Sequence, residues 1–169
     1  MNRYEDFWNV TESALVATCN AMKLHLEAES RAELMKAYLS LKPFPEVKQT
    51  LSALSKIPKA ILSNGNPKML EDVVKNAGLE DAFSQLISVD DVKIYKPSPA
   101  VYRLAVKKMG CNAESIGFVS SNFFDVAGAK VFGFRTYWVN RSNIPGEELG
   151  VTPDAILKSL GDLIELVKS

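Results

Sequence analysis

The first part of the chain shows the spacing of apolar residues that is typical of amphipathic helices. Apolar side chains recur at intervals of three and four residues in one stripe, which comprises Val10, Ala14, Ala17 and Ala21. Similar runs follow at residues 34–41 and 47–54, and Pro43-Phe44-Pro45 between them breaks the helical pattern. We therefore predict an all-helical segment over residues 1–45, which is a cap or insert beside the remaining chain.

Short apolar runs alternate with helical patterns from Lys59 onward. The runs predict five strands, at residues 59–63, 86–89, 116–120, 135–139 and 154–157. Asn66-Pro67 is a good N-cap and N1 pair for the first helix between them, and Ser98-Pro99 opens the second. Alternating strands and helices with short connections are typical of a doubly wound parallel α/β sheet, which we expect over residues 46–169.

Composition and charge exclude several function classes. The 169 residues include 20 Lys and Arg and 20 Asp and Glu, so the formal net charge is zero. Proteins that bind nucleic acids or a membrane surface usually carry a basic excess, so neither partner is expected. No apolar run approaches the ~20 residues of a membrane span. Cys19 and Cys111 form no metal or disulfide pattern, so we expect reduced thiols in a cytoplasmic protein.

Three polar clusters follow predicted strands, where an open parallel sheet binds its ligands. They are Ser63-Asn64-Gly65, Tyr95-Lys96-Pro97 and the run from Ser120 to Asp125. Each also has a structural explanation: Ser63 and Asn64 suit a turn, Lys96 suits a solvated loop, and Asp125 suits the first turn of a helix. Their shared position at strand ends is what predicts a site. Glycine-rich phosphate loops, a G-x-S-x-G serine motif and an H-E-x-x-H zinc motif are absent from the sequence.

The stretches around these clusters resemble the haloacid dehalogenase superfamily. The resemblance lies in residues 61–65, 95–97 and 118–130. Residues 7–11, 38–44 and 138–141 are similar to its subgroup of (S)-2-haloacid dehalogenases, and the similarity extends over essentially the whole chain. The resemblance implies a Rossmann-like parallel sheet with a helical cap. It also implies hydrolysis of short (S)-2-haloalkanoic acids to (R)-2-hydroxyalkanoic acids, in which an Asp carboxylate displaces halide and water hydrolyses the resulting ester.

The resemblance further implies a role for each candidate residue. In the catalytic group, Lys96 would orient the nucleophile. The hydrolytic water would be positioned or activated by Ser120, Asn122 and Asp125. In the substrate-binding group, Ser63 would hold the carboxylate and Asn64 the leaving halide. Tyr102 would support the network of Lys96, and two aromatic side chains, Phe7 and Phe124, would line the alkyl pocket.

The phosphatases of the same superfamily depend on Mg²⁺ and carry an acidic residue where this chain has Ser121. Magnesium prefers several hard oxygen ligands, and here only Asp125 remains. We therefore expect no metal and no cofactor. The resemblance implies a small 2-haloacid and halide as ligands, and the expected assembly is a homodimer. Two alternatives stay open: a Mg²⁺-dependent phosphatase, and a catalytically inactive remnant that binds small carboxylates or a protein.

The resemblance places the nucleophile in an Asp-x-x-Gly-Thr segment at the end of a central first strand, and this sequence contains no such segment. The earliest acid of that type, Asp6, falls in the part that matches the cap, and Arg3 does not replace the family's halide-binding arginine. We expect a chain without the central strand, either shortened to an internal Met1 or a natural remnant. It should show no haloacid turnover alone and low stability, because two strand edges are exposed. A strand from a second copy would cover them.

Overall fold

The computed structural model describes residues 3–168, apart from the side chain of Lys168, so the expected start at Met1 lies outside it. Three helices come first: α1 (Phe7–Ala21), α2 (Ala28–Ala37) and α3 (Val47–Ala53). The remainder alternates, with β1 (Ala60–Ser63), α4 (Pro67–Asn76), β2 (Gln85–Ser88), α5 (Pro99–Met109), β3 (Gly117–Ser120), α6 (Phe123–Phe132), β4 (Arg135–Val139), β5 (Ala155–Leu157) and α7 (Leu163–Lys168). This order confirms the predicted alternation of strands and helices.

The starts of α4 and α5 confirm the helix signals in the sequence. The side chain of Asn66 accepts a hydrogen bond from the backbone N–H of Met69 at 2.8 Å, and Pro67 is the first residue of α4. Ser98 accepts a hydrogen bond from the N–H of Ala100 in the same way before α5. These helices begin where local side-chain chemistry satisfies the otherwise unpaired N–H groups.

The five strands form two parallel sheets. In the first, β1 pairs with β2 from Ala60 opposite Gln85 to Ser63 opposite Ser88. The second sheet has the order β3-β4-β5. Within residues 3–168, β1 and β3 are not paired with each other, so each presents one unpaired edge. This division agrees with the expectation that a central strand is not part of this sequence.

An aromatic cluster forms the centre of the core, between α5, α6 and β3. Tyr102 is fully buried and its ring lies 5.8–5.9 Å from the rings of Phe118, Phe132 and Phe134. Each buried aromatic ring contributes roughly 1.5–3 kcal/mol to folding through the apolar area that it removes from water. The cluster fixes α5 and α6 against β3, and the candidate site lies at the end of these elements.

Helix α1 is less buried than its apolar stripe suggests. None of its residues is buried, and the stripe residues Val10, Ala14, Ala17 and Ala21 are all exposed. The periodicity predicted the helix correctly, but it does not say what the apolar face packs against. The second helix ends at Ala37, before the end of the predicted run at Leu41. No helix in the described range is long and apolar enough to cross a membrane.

Candidate active site

Lys96 and Asp125 form a buried ion pair beyond the ends of β1 and β3. The Lys96 Nζ atom lies 2.6 Å from Asp125 Oδ2, and the two side chains are only 12% and 2% exposed. The same ammonium donates to the backbone carbonyl of Leu62 in β1 at 3.1 Å. Lys96 is therefore not a solvated loop lysine, and its head connects the two sheets. A charged pair this buried needs complete partnering, since desolvation is otherwise costly.

Two hydroxyl groups complete the partners of the Asp125 carboxylate. The Tyr102 hydroxyl donates to Asp125 Oδ1 at 2.9 Å, and the Ser120 hydroxyl donates to Oδ2 at 3.4 Å. Burial, followed by the nearby charge of Asp125, raises the pKa of Tyr102, so the phenol remains a proton donor. Both carboxylate oxygens thus face donors. Asp125 with these partners is a weak basis for a Mg²⁺ site of the phosphatase type.

No cluster of three or more His, Cys, Asp or Glu side chains that could hold a metal ion occurs within the residues that the structure describes.

The turn after β1 brings Ser63 and Asn64 next to this pair. The side-chain Oδ1 of Asn64 accepts a hydrogen bond from the backbone N–H of Lys96 at 3.0 Å. Its Nδ2 donates to no protein acceptor among the described residues, so this NH₂ group is available to a ligand. The Ser63 Oγ accepts the N–H of Gly65 at 3.0 Å, which tightens the turn.

Within the described residues, the side chains of the remaining candidates make no hydrogen bond with the ion pair. Asn122 precedes α6, its side chain is exposed, and its backbone N–H donates to Ser120 Oγ at 3.1 Å. Phe7 packs edge-on against the ring of Tyr95, with centroids 5.9 Å apart, and Phe124 is 39% exposed. The structure therefore joins Lys96, Tyr102, Ser120 and Asp125 through their side chains. It attaches Asn64 through the hydrogen bond to the Lys96 N–H, and Ser63 is the neighbour of Asn64 in the chain. No hydrogen bond or ion pair within the described residues joins Phe7 or Phe124 to this network.

Sequence reasoning gave no role to Gly128, which the site requires. A Cβ atom at this position would lie 2.6 Å from the Tyr102 hydroxyl and 2.6 Å from Pro97 Cβ. Glycine is unfavourable inside a helix, so a glycine in the middle of α6 indicates that another part of the chain packs closely against the helix at that point. The absence of a side chain lets Tyr102 reach Asp125.

A cavity of about 400 Å³ adjoins Ser120 at the ends of β3 and β4. Arg141 lines it, pairs with Glu46 at 2.6 Å and stacks over the ring of Phe44 at 3.8 Å. Hydrogen bonds from its own backbone N–H and from Arg141 lower the pKa of Glu46. Residues 44–46 are thereby attached to the end of β4, a contact that the sequence analysis did not predict.

Comparison with known proteins identifies the family. A family model described as haloacid dehalogenase-like hydrolase matches residues 2–133. The (S)-2-haloacid dehalogenase of Pseudomonas sp. (strain YL) is 46% identical over 100% of this chain and 74% of the relative. Haloacetate dehalogenase H-2 of Moraxella sp. (strain B) is 45% identical over 99% of this chain and 75% of the relative.

Solved structures agree with these relatives. The crystal structure of the L-2-haloacid dehalogenase RSc1362 has a TM-score of 0.96 and 43% identity, and covers 98% of this chain and 74% of that one. The L-2-haloacid dehalogenase of Xanthobacter autotrophicus, solved with chloropropionic acid covalently bound, has a TM-score of 0.91 and 38% identity, over 99% of this chain and 78% of that one. The chain belongs to the haloacid dehalogenase-like hydrolases. Within that family it belongs with the (S)-2-haloacid dehalogenases, which confirms the resemblance seen in the sequence.

Proposed function

We propose that this protein carries the substrate-binding and hydrolytic groups of a dehalogenase that converts short (S)-2-haloalkanoic acids to (R)-2-hydroxyalkanoic acids. The observation that carries the proposal is the buried Lys96–Asp125 pair, which is completed by Tyr102 and Ser120 at the end of the strands. The similarity to named (S)-2-haloacid dehalogenases, at up to 46% identity, supports the substrate class.

The nucleophile of this reaction is an Asp carboxylate in an Asp-x-x-Gly-Thr segment, which this sequence does not contain. Lys96 contacts β1 through Leu62 and contacts Asp125 just after β3. A strand placed between β1 and β3 would therefore end near the ammonium group. A positive charge at that point orients an incoming carboxylate, which becomes a better nucleophile when it is fixed and desolvated.

The leaving halide is proposed to bind at the turn after β1. Asn64 is held through Oδ1 by the backbone N–H of Lys96, which fixes its NH₂ group before any ligand arrives. Donors that are already in place stabilise the charge that develops on the halide, because they need no reorganisation during the reaction. Ser63, one residue earlier, would hold the substrate carboxylate.

Hydrolysis of the aspartyl ester is assigned to the groups around Asp125. Its carboxylate and the Ser120 hydroxyl lie 3.4 Å apart, and the backbone N–H of Asn122 donates a hydrogen bond to the same hydroxyl oxygen. These groups would position or activate the attacking water, and Tyr102 and Lys96 hold the carboxylate in one orientation. Phe7 and Phe124 are proposed to enclose the alkyl chain of the substrate.

We further propose a division into a helical cap over residues 1–45 and an α/β core over residues 46–169. The order of elements supports this division, because all the strands within the described residues follow residue 46 and the described residues before it contain only helices and loops. A cytoplasmic homodimer is proposed as the working form. The free thiols of Cys19 and Cys111 support a reducing compartment, and apolar side chains that are about half exposed on the helical segment support self-association, namely Met22, Leu24, Leu34, Tyr38 and Leu41. Light scattering that shows a monomer at all concentrations would contradict the dimer.

Binding of substrate tests the proposed site on the chain itself. We expect (S)-2-chloropropionate to shift the NMR signals of the Asn64 side-chain amide and of Ser63, and the (R) enantiomer to do so more weakly. Asn64→Ala should remove the part of the substrate affinity that comes from the contact with the halogen, while the fold is retained. Equal effects of both enantiomers, or shifts confined to other surfaces, would contradict the proposed substrate class.

A further inference from the structure

The turn at residues 63–66, called here the β1 turn, is bound directly by a residue that precedes α1. Asn66 Nδ2 donates to Asp6 Oδ1 at 3.1 Å and to Asp6 Oδ2 at 3.0 Å. Asp6 is also the N-cap of α1 and accepts the N–H of Trp8 at 2.8 Å. Asn66 is the N-cap of α4 and accepts the N–H of Met69 at 2.8 Å. One contact therefore joins the starts of two helices that are far apart in sequence.

A second route connects the same segment to the β1 turn. The Tyr4 hydroxyl donates to Asp90 Oδ1 at 2.6 Å, and the backbone N–H of Asp90 donates to Ser88 Oγ at 3.1 Å. The Ser88 hydroxyl in turn donates to the carbonyl oxygen of Gly65 at 2.7 Å. Ser88 is 4% exposed, so its single O–H donor has no competing partner in water. The route is continuous from Tyr4 to the turn.

The position of Tyr4 is itself fixed by neighbouring side chains. Its ring lies 5.3 Å from the ring of Tyr95, and the Lys93 ammonium lies 5.0 Å from its centroid. Hydrogen bonds from Tyr4 and Lys93 lower the pKa of Asp90, so this carboxylate is charged at neutral pH. The segment before α1 thus reaches the β1 turn by two independent sets of contacts.

These contacts bear on the proposed halide site because Asn64 directly precedes the two held residues, Gly65 and Asn66. A donor lowers a barrier only when it is already aimed correctly, and a misplacement of about 1 Å costs as much as ~100-fold in rate. We infer that Asp6 and Tyr4 are positioning residues. They act through Asn66 and Ser88 to orient the Asn64 amide, and they thereby couple the position of the helical segment to anion binding. The inference rests on the proposed role of Asn64 as a halide donor.

Separate substitutions distinguish this role from simple helix capping. Asp6→Ser retains an oxygen that caps α1, but its side chain is too short to reach Asn66. Asn66→Ser retains a cap for α4 and lacks the NH₂ donor. Tyr4→Phe keeps the ring against Tyr95 and removes only the hydroxyl. Asp72→Ser is the matched control, since it removes a partly exposed carboxylate further along α4 that pairs with the exposed Lys68.

The experiment records ¹H–¹⁵N spectra of this chain and titrates each variant with bromide. Asp6→Ser and Asn66→Ser should shift the Gly65 N–H and the Asn64 side-chain NH₂ signals in the same direction without ligand. Each should weaken bromide binding by roughly tenfold, and the double variant should add little. Tyr4→Phe should shift Gly65 in a further, smaller step, and Asp72→Ser should leave both signals in place.

Unshifted Asn64 and Gly65 signals in folded Asp6→Ser, or fully additive effects of Asp6→Ser and Asn66→Ser, would overturn the inference. If Asp6→Ser does not fold, Asn66→Ser and Tyr4→Phe decide the matter by the same signals. If the unaltered chain binds no bromide although the ligand-free signals move together, the positioning relationship holds and the proposed halide role of Asn64 fails. The two ideas are therefore tested separately.

Discussion

Gly128 passes so close to Tyr102 that a Cβ atom at position 128 would lie 2.6 Å from the tyrosine hydroxyl. The position of the hydroxyl is fixed, because Tyr102 is fully buried and donates a hydrogen bond to Asp125 at 2.9 Å. Pro97, which follows the site lysine, would be met at the same distance. The glycine therefore permits α5, α6 and the Lys96 loop to meet at the site.

Substitution of this glycine should be destabilising although alanine is the better helix former. Gly128→Ala gains up to ~1 kcal/mol in helix propensity, but overpacking against Tyr102 and Pro97 costs about 1–3 kcal/mol and displaces the hydroxyl from Asp125. We expect a net loss of stability in denaturant unfolding. Val131→Ala, at a position of α6 that is 77% exposed, is the matched control and should change stability by less than about 0.5 kcal/mol. A stabilised Gly128→Ala protein would show that the site has room.

Breaking the Lys96–Asp125 pair should lower the free energy of unfolding far more than breaking an exposed pair with the same separation. Lys96→Met leaves the Asp125 charge buried without a cation, at a cost of about 3–5 kcal/mol. The Lys130–Asp154 pair has the same 2.6 Å separation but is more than one-third exposed, so Lys130→Met should cost less than about 1 kcal/mol.

A double-mutant cycle isolates the interaction within the buried pair. Asp125→Asn added to Lys96→Met should recover much of the lost stability, because it removes the unpaired charge. Additive losses in this cycle would mean that the two groups do not interact in solution.

Alkaline pH should weaken the contact between Tyr102 and Asp125. Burial and the charge of Asp125 raise the pKa of Tyr102 above its ordinary value of about 10. Because the pKa is higher in the folded than in the unfolded chain, the stabilisation is complete below pH ~10 and declines as pH rises towards the folded-state pKa. The difference in unfolding free energy between the unaltered protein and Tyr102→Phe should therefore be constant from neutral pH to about 10 and shrink above it. A difference that grows in that range would contradict the assignment.

Local features of the fold were predictable because their causes are local. Asn66-Pro67 and Ser98-Pro99 start helices through contacts within four residues, and the sequence showed both. The pairing of β1 with β2 and of β3 with β4 was not predictable, since a pattern of alternating strands does not state which edges meet. The exposure of the α1 stripe was missed for the same reason: periodicity defines a face and not its partner.

The sequence predicted which residues form the candidate site, but it did not predict the contacts between them. Asp125 suits the first turn of a helix equally well on dipole grounds, and only its burial beside Lys96 shows that it does more. Resemblance to a known family supplied the roles that residue types alone left open. Gly128, Ser88 and the contact between Asp6 and Asn66 depend on approaches across the fold, which a single sequence does not show.

The most direct test is halide release from (S)-2-chloropropionate by this chain extended at its N-terminus with a strand segment that carries Asp-x-x-Gly-Thr. We predict release from the (S) enantiomer by the extended chain, none by the chain alone, and a loss of activity of about 100-fold or more in Asn64→Ala of the extended chain. A folded extended chain that releases no halide, or one in which Asn64→Ala is as active as the parent, would contradict the proposed site.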